Sequence, residues 1–113
     1  MAVIDRETAD HYLWQGDCDG WRLLDRADMA VIAEKMPPGR AETRHYHETA
    51  RQLFYVLSGS LAIDLGGTLF HLNAGQALQI PPGRRHQVAN DGTEAAEFLV
   101  ISVPSTRDDR IEV

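Results

Sequence analysis

Two histidines separated by one residue are the first candidates for chemistry in this sequence. His45 and His47 flank Tyr46 in the segment HYHETARQLF, which covers residues 45–54. On an extended strand alternate side chains share a face, so the Cβ atoms of the two histidines would lie roughly 6.5 to 7 Å apart and the rings could bind one metal ion. On a helix the same two rings would point in nearly opposite directions. Since two polar residues in a loop also show this spacing, a third residue must decide whether the segment is a metal site.

His86 is the candidate third ligand, and it follows the segment PPGRR at residues 81–85. Spacing along the chain does not by itself bring His86 near His45. Two oxygen donors lie close to the first pair: the carboxylate of Glu48 and the amide of Gln52. Glu48 is adjacent to His47 and would point away from it on a strand, so we favour Gln52, whose carbonyl oxygen can bind a cation.

Short apolar runs separated by turn signals must position these residues. Gly66 and Gly67 predict a hairpin because paired glycines accept the positive φ of a tight turn. The segment ETARQLFYVL could instead form a helix, but its aromatic and β-branched content favours a strand from Leu53. For ETADHYL near the N-terminus we predict one helical turn. Seven or eight short strands predict an antiparallel sandwich or barrel, and the candidates are WRLLDR, MAVIAEKM, LFYVL, LAIDL, TLFHL, QALQI, HQVAN and EFLVISV.

Two spaced patterns resemble the conserved motifs of the cupin family. The segment GRAETRHYHETARQLFYVLSG, residues 39–59, matches the first motif at Gly39, His45, His47 and Gly59, with Gln52 where a glutamate is expected. The segment GQALQIPPGRRHQVAN, residues 75–90, matches the second motif fully, and its matching residues are Gly75, Pro81, Gly83, His86 and Asn90. The resemblance covers residues 39–90, about half of the chain.

This resemblance implies an all-β fold, an antiparallel double-stranded β-helix or jelly-roll barrel. It also implies one divalent transition metal inside the barrel, with His45, His47, Gln52 and His86 as its ligands. We prefer iron or nickel, and manganese, zinc and copper also suit such donors. Because glutamine brings no negative charge, we expect weaker metal affinity than a glutamate would give and a stronger Lewis acid.

Composition limits the remaining possibilities. We predict one domain over residues 1–113, with a barrel over about 21–104, an N-terminal segment 1–20 and a C-terminal tail 105–113. Eleven basic and 17 acidic residues give a net charge of −6, which disfavours nucleic acid and anionic membranes as partners. The single cysteine, Cys18, is expected to be a semi-buried thiol, and without an apolar leader we predict a cytoplasmic protein. Small cupins are commonly dimers, so we expect a homodimer, with WRLLDR as an exposed edge that a partner could cover.

For function, the resemblance implies a metal-dependent enzyme of the dioxygenase type that acts on a small organic molecule. A non-catalytic module that binds or senses a small molecule or metal is an alternative, and a sugar isomerase or epimerase of the RmlC-like kind is another. We expect the other aromatic and basic side chains to have structural or surface positions. Tyr55 and Trp21 should lie in the core or an interface, Arg84 and Arg85 should be solvated, His71 should face outward, and His11 should have no partner.

Overall fold

The computed structural model describes residues 3–113 as two packed antiparallel sheets. Eleven strands and no helix occur in this range. The strands are β1 (Asp10–Trp14), β2 (Cys18–Asp25), β3 (Ala30–Met36), β4 (His45–Tyr46), β5 (Arg51–Ser58), β6 (Ser60–Leu65), β7 (Thr68–Asn73), β8 (Ala77–Ile80), β9 (His86–Ala89), β10 (Ala96–Val103) and β11 (Ile111–Glu112). The six-stranded sheet has the order β1-β2-β3-β10-β5-β8 and the five-stranded sheet the order β11-β4-β9-β6-β7. The predicted all-β jelly-roll architecture is therefore confirmed.

Strict alternation along the central strands builds the core between the sheets. In β5, Gln52, Phe54 and Val56 are buried, whereas Tyr55 and Leu57 are exposed. Strand β10 follows the same rule, because Phe98 and Val100 are buried and their neighbours are more exposed. Since side chains on a strand alternate between faces, one register places every second residue of both strands inside the barrel.

Glycines form the corners that the sequence predicted. Gly66 and Gly67 have φ values of 58° and 97° and join β6 to β7, as expected for a tight hairpin. Gly59 has a φ of 76°, and a Cβ there would lie 2.5 Å from the carbonyl oxygen of Ala95. Both the backbone conformation and the close backbone approach therefore require glycine at position 59.

The N-terminal part of the fold differs from two expectations. A single turn does form, with the Ala9 amide donating to the Asp5 carbonyl at 2.8 Å, but the following residues DHYLW form strand β1 and not a helix. Their alternation turns Tyr12 and Trp14 inward, which a helix could not do. The segment WRLLDR is not an exposed edge, because its strand β2 lies between β1 and β3. Strand β1 lies in the N-terminal segment 1–20, and strand β11 lies in the C-terminal tail 105–113.

Candidate metal centre

Three histidines from two neighbouring strands meet inside the barrel. His45 begins β4, His47 follows directly after it, and His86 begins β9. The register pairs His45 with His86, so these two side chains project to the same face of the sheet. One ligand nitrogen from each of the three rings lies within 4.8 Å of the others, and all three side chains are buried. The sheet thus brings His86 of the second motif next to His45 and His47 of the first motif.

Backbone carbonyls fix the orientation of each imidazole ring. The Nδ1 atom of His45 donates to the Thr43 carbonyl at 2.7 Å, and that of His86 donates to the Arg84 carbonyl at 3.0 Å. The Nδ1 of His47 donates to the carbonyl of Asp109. Because a carbonyl oxygen only accepts, the proton of each neutral ring resides on Nδ1 and the lone pair on Nε2. This arrangement is the usual one for histidines that bind a metal.

Gln52 places its amide oxygen beside the histidines. Its Nε2 donates to the hydroxyl of Ser102 at 3.1 Å, which orients the carbonyl end of the amide away from that partner. Within residues 3–113, three buried side-chain atoms have no hydrogen-bond partner: Nε2 of His47, Nε2 of His86 and Oε1 of Gln52. Buried polar atoms without partners are costly, and a cation would satisfy all three at once. The donor set therefore fits a divalent transition metal.

Burial keeps the histidines neutral, as ligation requires. It lowers the pKa of His45 to about 3, against an opposing effect from the Thr43 carbonyl that accepts its proton. Burial also lowers the pKa values of His47 and His86, again opposed by the carbonyls at Asp109 and Arg84. At neutral pH all three rings thus have a free lone pair.

The C-terminal segment of the chain contacts strand β4 and the loop that follows His47. Strand β11 pairs with β4, with Glu112 opposite His45. The carboxylate of Asp109 accepts hydrogen bonds from the amides of Glu48, Thr49 and Ala50 at 2.7, 3.1 and 2.9 Å. Asp109 therefore binds both the loop after His47 and, through its carbonyl, the His47 ring itself. The sequence alone gave no sign of this role, because the contact joins residues about 60 positions apart.

A cavity of about 190 Å³ adjoins the histidines. His45, His47 and Gln52 form part of its wall, and half of the other lining residues are apolar. The apolar part is made by Trp14, Ile32, Phe54, Val88, Phe98 and Val100. An engineered apolar cavity of about 150 Å³ in another protein binds benzene. This cavity therefore has the size for a compact molecule with about one ring.

Two carboxylic acids also line the cavity, and the sequence analysis did not identify them. Glu34 lies on β3 and Glu42 precedes β4. Burial is the main cause that raises the pKa of Glu34 to about 8, and the charge of Glu42 is the second cause. Burial also raises the pKa of Glu42 to about 8, although the hydrogen bond from the Val88 amide opposes this effect. A signal for Glu34 exists in the sequence, because it alternates in phase with the apolar residues Ile32 and Met36.

The other residues considered in the sequence lie away from the cavity. Glu48 is exposed and lies outside the histidine cluster and the cavity wall, whereas Gln52 lines the cavity together with His45 and His47. His71 is exposed and 3.0 Å from Asp91, as its outward phase predicted, while His11 has a partner after all in Asp19 at 2.7 Å. Cys18 is fully buried, and burial raises the pKa of its thiol to about 11, which makes it a poor nucleophile. Remaining outside the cavity wall are Trp21, Tyr55, Arg84 and Arg85.

Comparisons with known proteins agree with this architecture. A family profile described as Cupin domain matches residues 33–102. The polyketide synthase protein CurC of Streptomyces cyaneus is 41% identical over 64 residues, which are 57% of this chain and 42% of CurC. The chain therefore matches less than half the length of that relative.

Solved structures superimpose over nearly the whole chain. An RmlC-like cupin from Shewanella frigidimarina has a TM-score of 0.84 at 18% identity, covering 96% of this chain and 95% of its own. The polyketide cyclase RemF from Streptomyces resistomycificus has a TM-score of 0.80 at 21% identity, covering 93% of this chain and 80% of its own. At these identities the two structures support the fold alone. Within residues 3–113, no helix is long and apolar enough to cross a membrane.

Proposed function

The chain belongs to the cupin family, and from this premise we propose that it is a metal-dependent enzyme that converts a small organic molecule. The proposed ligands are His45, His47, Gln52 and His86. The observation that carries the proposal is the group of three buried donor atoms without partners, two imidazole nitrogens and one amide oxygen, at the wall of a cavity. A protein that used these residues only for packing would be expected to pair them.

The proposed cofactor is one divalent transition metal, with iron or nickel preferred. Bound to four neutral donors, it would keep its full positive charge and supply Lewis acidity or, for iron, access to oxygen chemistry. The protein residues orient the donors through the carbonyls at Thr43, Arg84 and Asp109. The apolar side chains of the wall would cover part of a bound substrate and displace water from it.

Dioxygenase-type oxidation of a small enol, diol or phenol is the first reaction that we propose. The cavity limits the substrate to about one ring, and its aromatic wall suits a flat molecule. By their names, CurC and RemF act in polyketide assembly or cyclisation, which makes small phenolic and polyketide-like compounds a reasonable first panel for this chain.

Proton-transfer chemistry, such as isomerisation or cyclisation, is the second candidate. Glu34 and Glu42 favour it, because they give the cavity ionisable groups that are not among the proposed ligands. A carboxyl group with a pKa near the working pH is suited to general acid and base catalysis. A sensing module that binds a ligand without turnover has no comparable need for such acids.

Metal analysis of untagged protein tests the first step of the proposal. We expect close to one transition metal per chain and its loss in the double variant His47→Ala/His86→Ala. The double variant His11→Ala/His71→Ala removes two exposed histidines and should retain the metal. Equal metal content in the two double variants would contradict the proposed site.

Oxygen uptake by iron-loaded protein over a panel of small phenols, enols and diols separates the reactions. Uptake with one compound supports the dioxygenase. Conversion without oxygen consumption supports proton transfer. Tight binding without conversion of any compound would favour the sensing module.

A further inference from the structure

We propose that Glu34 is the proton-transfer residue of the cavity and that the substrate has an enol or phenol hydroxyl group, which Glu34 deprotonates. This inference rests on the proposed function of the histidine site and specifies the substrate class and a catalytic residue for it. Glu34 lies outside the ligand set, on β3 of the six-stranded sheet, whereas His45 and His86 lie on strands of the five-stranded sheet.

The fold directs the Glu34 side chain into the barrel. Glu34 is opposite Phe98 in the pairing of β3 with β10, and Phe98 is one of the most buried residues of the core. Side chains of directly opposed residues share a face of the sheet, so Glu34 projects inward with Phe98. Both residues line the cavity. An acid at this position is surrounded by protein and yet remains accessible to a bound molecule.

The carboxylate of Glu34 takes no part in the polar contacts that stabilise the described part of the fold. Within residues 3–113 it makes no hydrogen bond and no ion pair with another side chain or with the backbone. Glu42 differs, because its carboxylate accepts the Val88 amide at 3.0 Å and lies 3.8 Å from Nδ1 of His45. Glu42 thus supports the strand that holds the ligands, whereas Glu34 is available to the contents of the cavity.

The charged and titratable groups that face Glu34 come from four parts of the fold. They are Tyr12 on β1, Glu42 before β4, the histidines of the metal centre and Arg110 of the C-terminal segment. Burial and the nearby Glu34 raise the pKa of Tyr12, so this phenol stays neutral. The histidines stay neutral above pH 6.5 because burial lowers their pKa values. Glu34 and Glu42 are therefore the cavity groups that ionise between pH 6.5 and 9.

The walls next to Glu34 select the rest of the substrate. Trp14, Phe54 and Phe98 surround the cavity together with aliphatic side chains. These surfaces suit a flat apolar body, while the histidine side of the cavity suits an oxygen atom. A small phenol or cyclic enol presents both features and has a hydroxyl acidic enough to exchange its proton with a carboxylate of raised pKa.

The proposed step is a balanced proton transfer. The O–H bond of the substrate breaks, and a new O–H bond forms on a carboxylate oxygen of Glu34. The electron pair stays on the substrate oxygen, which becomes an enolate or phenolate directed at the histidine side of the cavity. The proton returns from Glu34 to the product at the end of the reaction, so the residue is regenerated without an external reagent.

The pH dependence of binding the probe 4-cyanophenol tests this assignment, in zinc-loaded and in metal-free protein. Affinity should rise about tenfold between pH 6.5 and 8 in the wild type, because ionised Glu34 is the acceptor of the hydroxyl proton. The absorption band of the phenolate should appear in the bound probe. In metal-free protein Glu34→Gln should show neither the rise nor the band, while its capacity for metal and its melting temperature stay at the wild-type level.

Further variants separate Glu34 from its neighbours. Glu42→Gln should keep the rise and move its midpoint to lower pH, because removal of the Glu42 charge eases ionisation of Glu34. The exposed acid Glu94 provides a control, and Glu94→Gln should match the wild type. Glu34→Ala serves as a second variant without the carboxylate, should Glu34→Gln fold poorly.

Two results would overturn the inference. One is a pH profile shared by the wild type and the Glu34 variants, and the other is failure of zinc-loaded wild type to bind the probe. Loss of the proposed metal function would look different: the wild type would hold no metal, and the metal-free measurements would still decide the role of Glu34.

Discussion

Gln52 would determine the charge of the proposed metal centre. Its neutral amide leaves the proposed ion with no negative ligand, and the hydrogen bond to Ser102 selects which end of the amide faces the histidines. The sequence predicts the position of this residue from the first motif, but a sequence cannot show which way an amide points. That orientation depends on Ser102, which lies on β10, 50 residues further along the chain.

Replacement of Gln52 by glutamate should strengthen metal binding. A carboxylate adds one negative charge next to a dication, so we expect Gln52→Glu to lower the dissociation constant for zinc by about tenfold or more, equal to about 1.4 kcal/mol. Gln52→Leu, which offers no donor, should weaken binding. Competition titration with a chromogenic chelator measures both constants, and equal affinities in the three proteins would show that residue 52 is not a ligand.

The buried histidines should make the metal-free protein sensitive to acid. In the folded chain burial lowers the pKa of His45 to about 3, whereas an unfolded histidine titrates near pH 6.5. The unfolded state therefore binds more protons below that value, and stability falls as pH drops from about 6.5 toward 3, by up to about 1.4 kcal/mol per pH unit for each such group. Urea unfolding in the presence of a chelator at pH 7, 6, 5 and 4 measures the slope. His45→Gln should flatten it, and an unchanged slope would contradict the assignment.

Pairing between strands that are distant in the sequence positions the residues of the site. Pairing of β4 with β9 places His45 opposite His86, and pairing of β4 with β11 brings the C-terminal segment over the ligand loop. Motif spacing predicted the first arrangement through the family resemblance. The second was not predicted, because the sequence indicated only a C-terminal tail over residues 105–113.

Asp109 should be the residue through which the C-terminal segment stabilises the centre. Asp109→Ala removes the acceptor of three backbone amides, so we expect a loss of about 1 to 3 kcal/mol of unfolding free energy and faster hydrogen exchange at Glu48, Thr49 and Ala50. Zinc affinity should fall about tenfold, because the loop also positions His47.

A matched control for this change is the neighbouring exposed acid. Asp108→Asn keeps a side chain that tolerates the positive φ of 58° at that position and removes the same charge. It should leave exchange at residues 48–50 and zinc affinity unchanged. An equal effect of both substitutions would mean that Asp109 acts only through its negative charge and not through its hydrogen bonds.

At the scale of the whole molecule, the outer face of the six-stranded sheet carries a group of apolar and aromatic side chains. Leu53, Tyr55, Leu99 and Ile101 point outward from the adjacent strands β5 and β10, out of phase with the buried residues. The segment WRLLDR belongs to a strand that is paired on both sides, so it cannot pair with a second copy of the chain. The outer sheet face is therefore the better candidate for contact with a second copy.

We therefore predict a homodimer packed through this sheet face. Light scattering at micromolar concentration should give about twice the mass of one chain. Ile101→Lys should shift the protein toward the monomer, because a charge would be buried in the contact. Leu69→Lys, at an exposed position of the other sheet, should leave the mass unchanged. A monomeric wild type would refute the prediction.

The sequence by itself determined the eight strands β2, β3 and β5 to β10 and the shared face of His45 and His47, because alternation along a strand and the backbone demands of glycine are local properties. Through family resemblance it also indicated His86 and Gln52 as partners. Only the tertiary structure decided that Glu34, Glu42 and Arg110 enter the same cavity and that Asp109 fixes the His47 loop. These contacts join residues from separate strands and both ends of the chain, and no local pattern specifies which distant side chains share an enclosed volume until the sheets have packed.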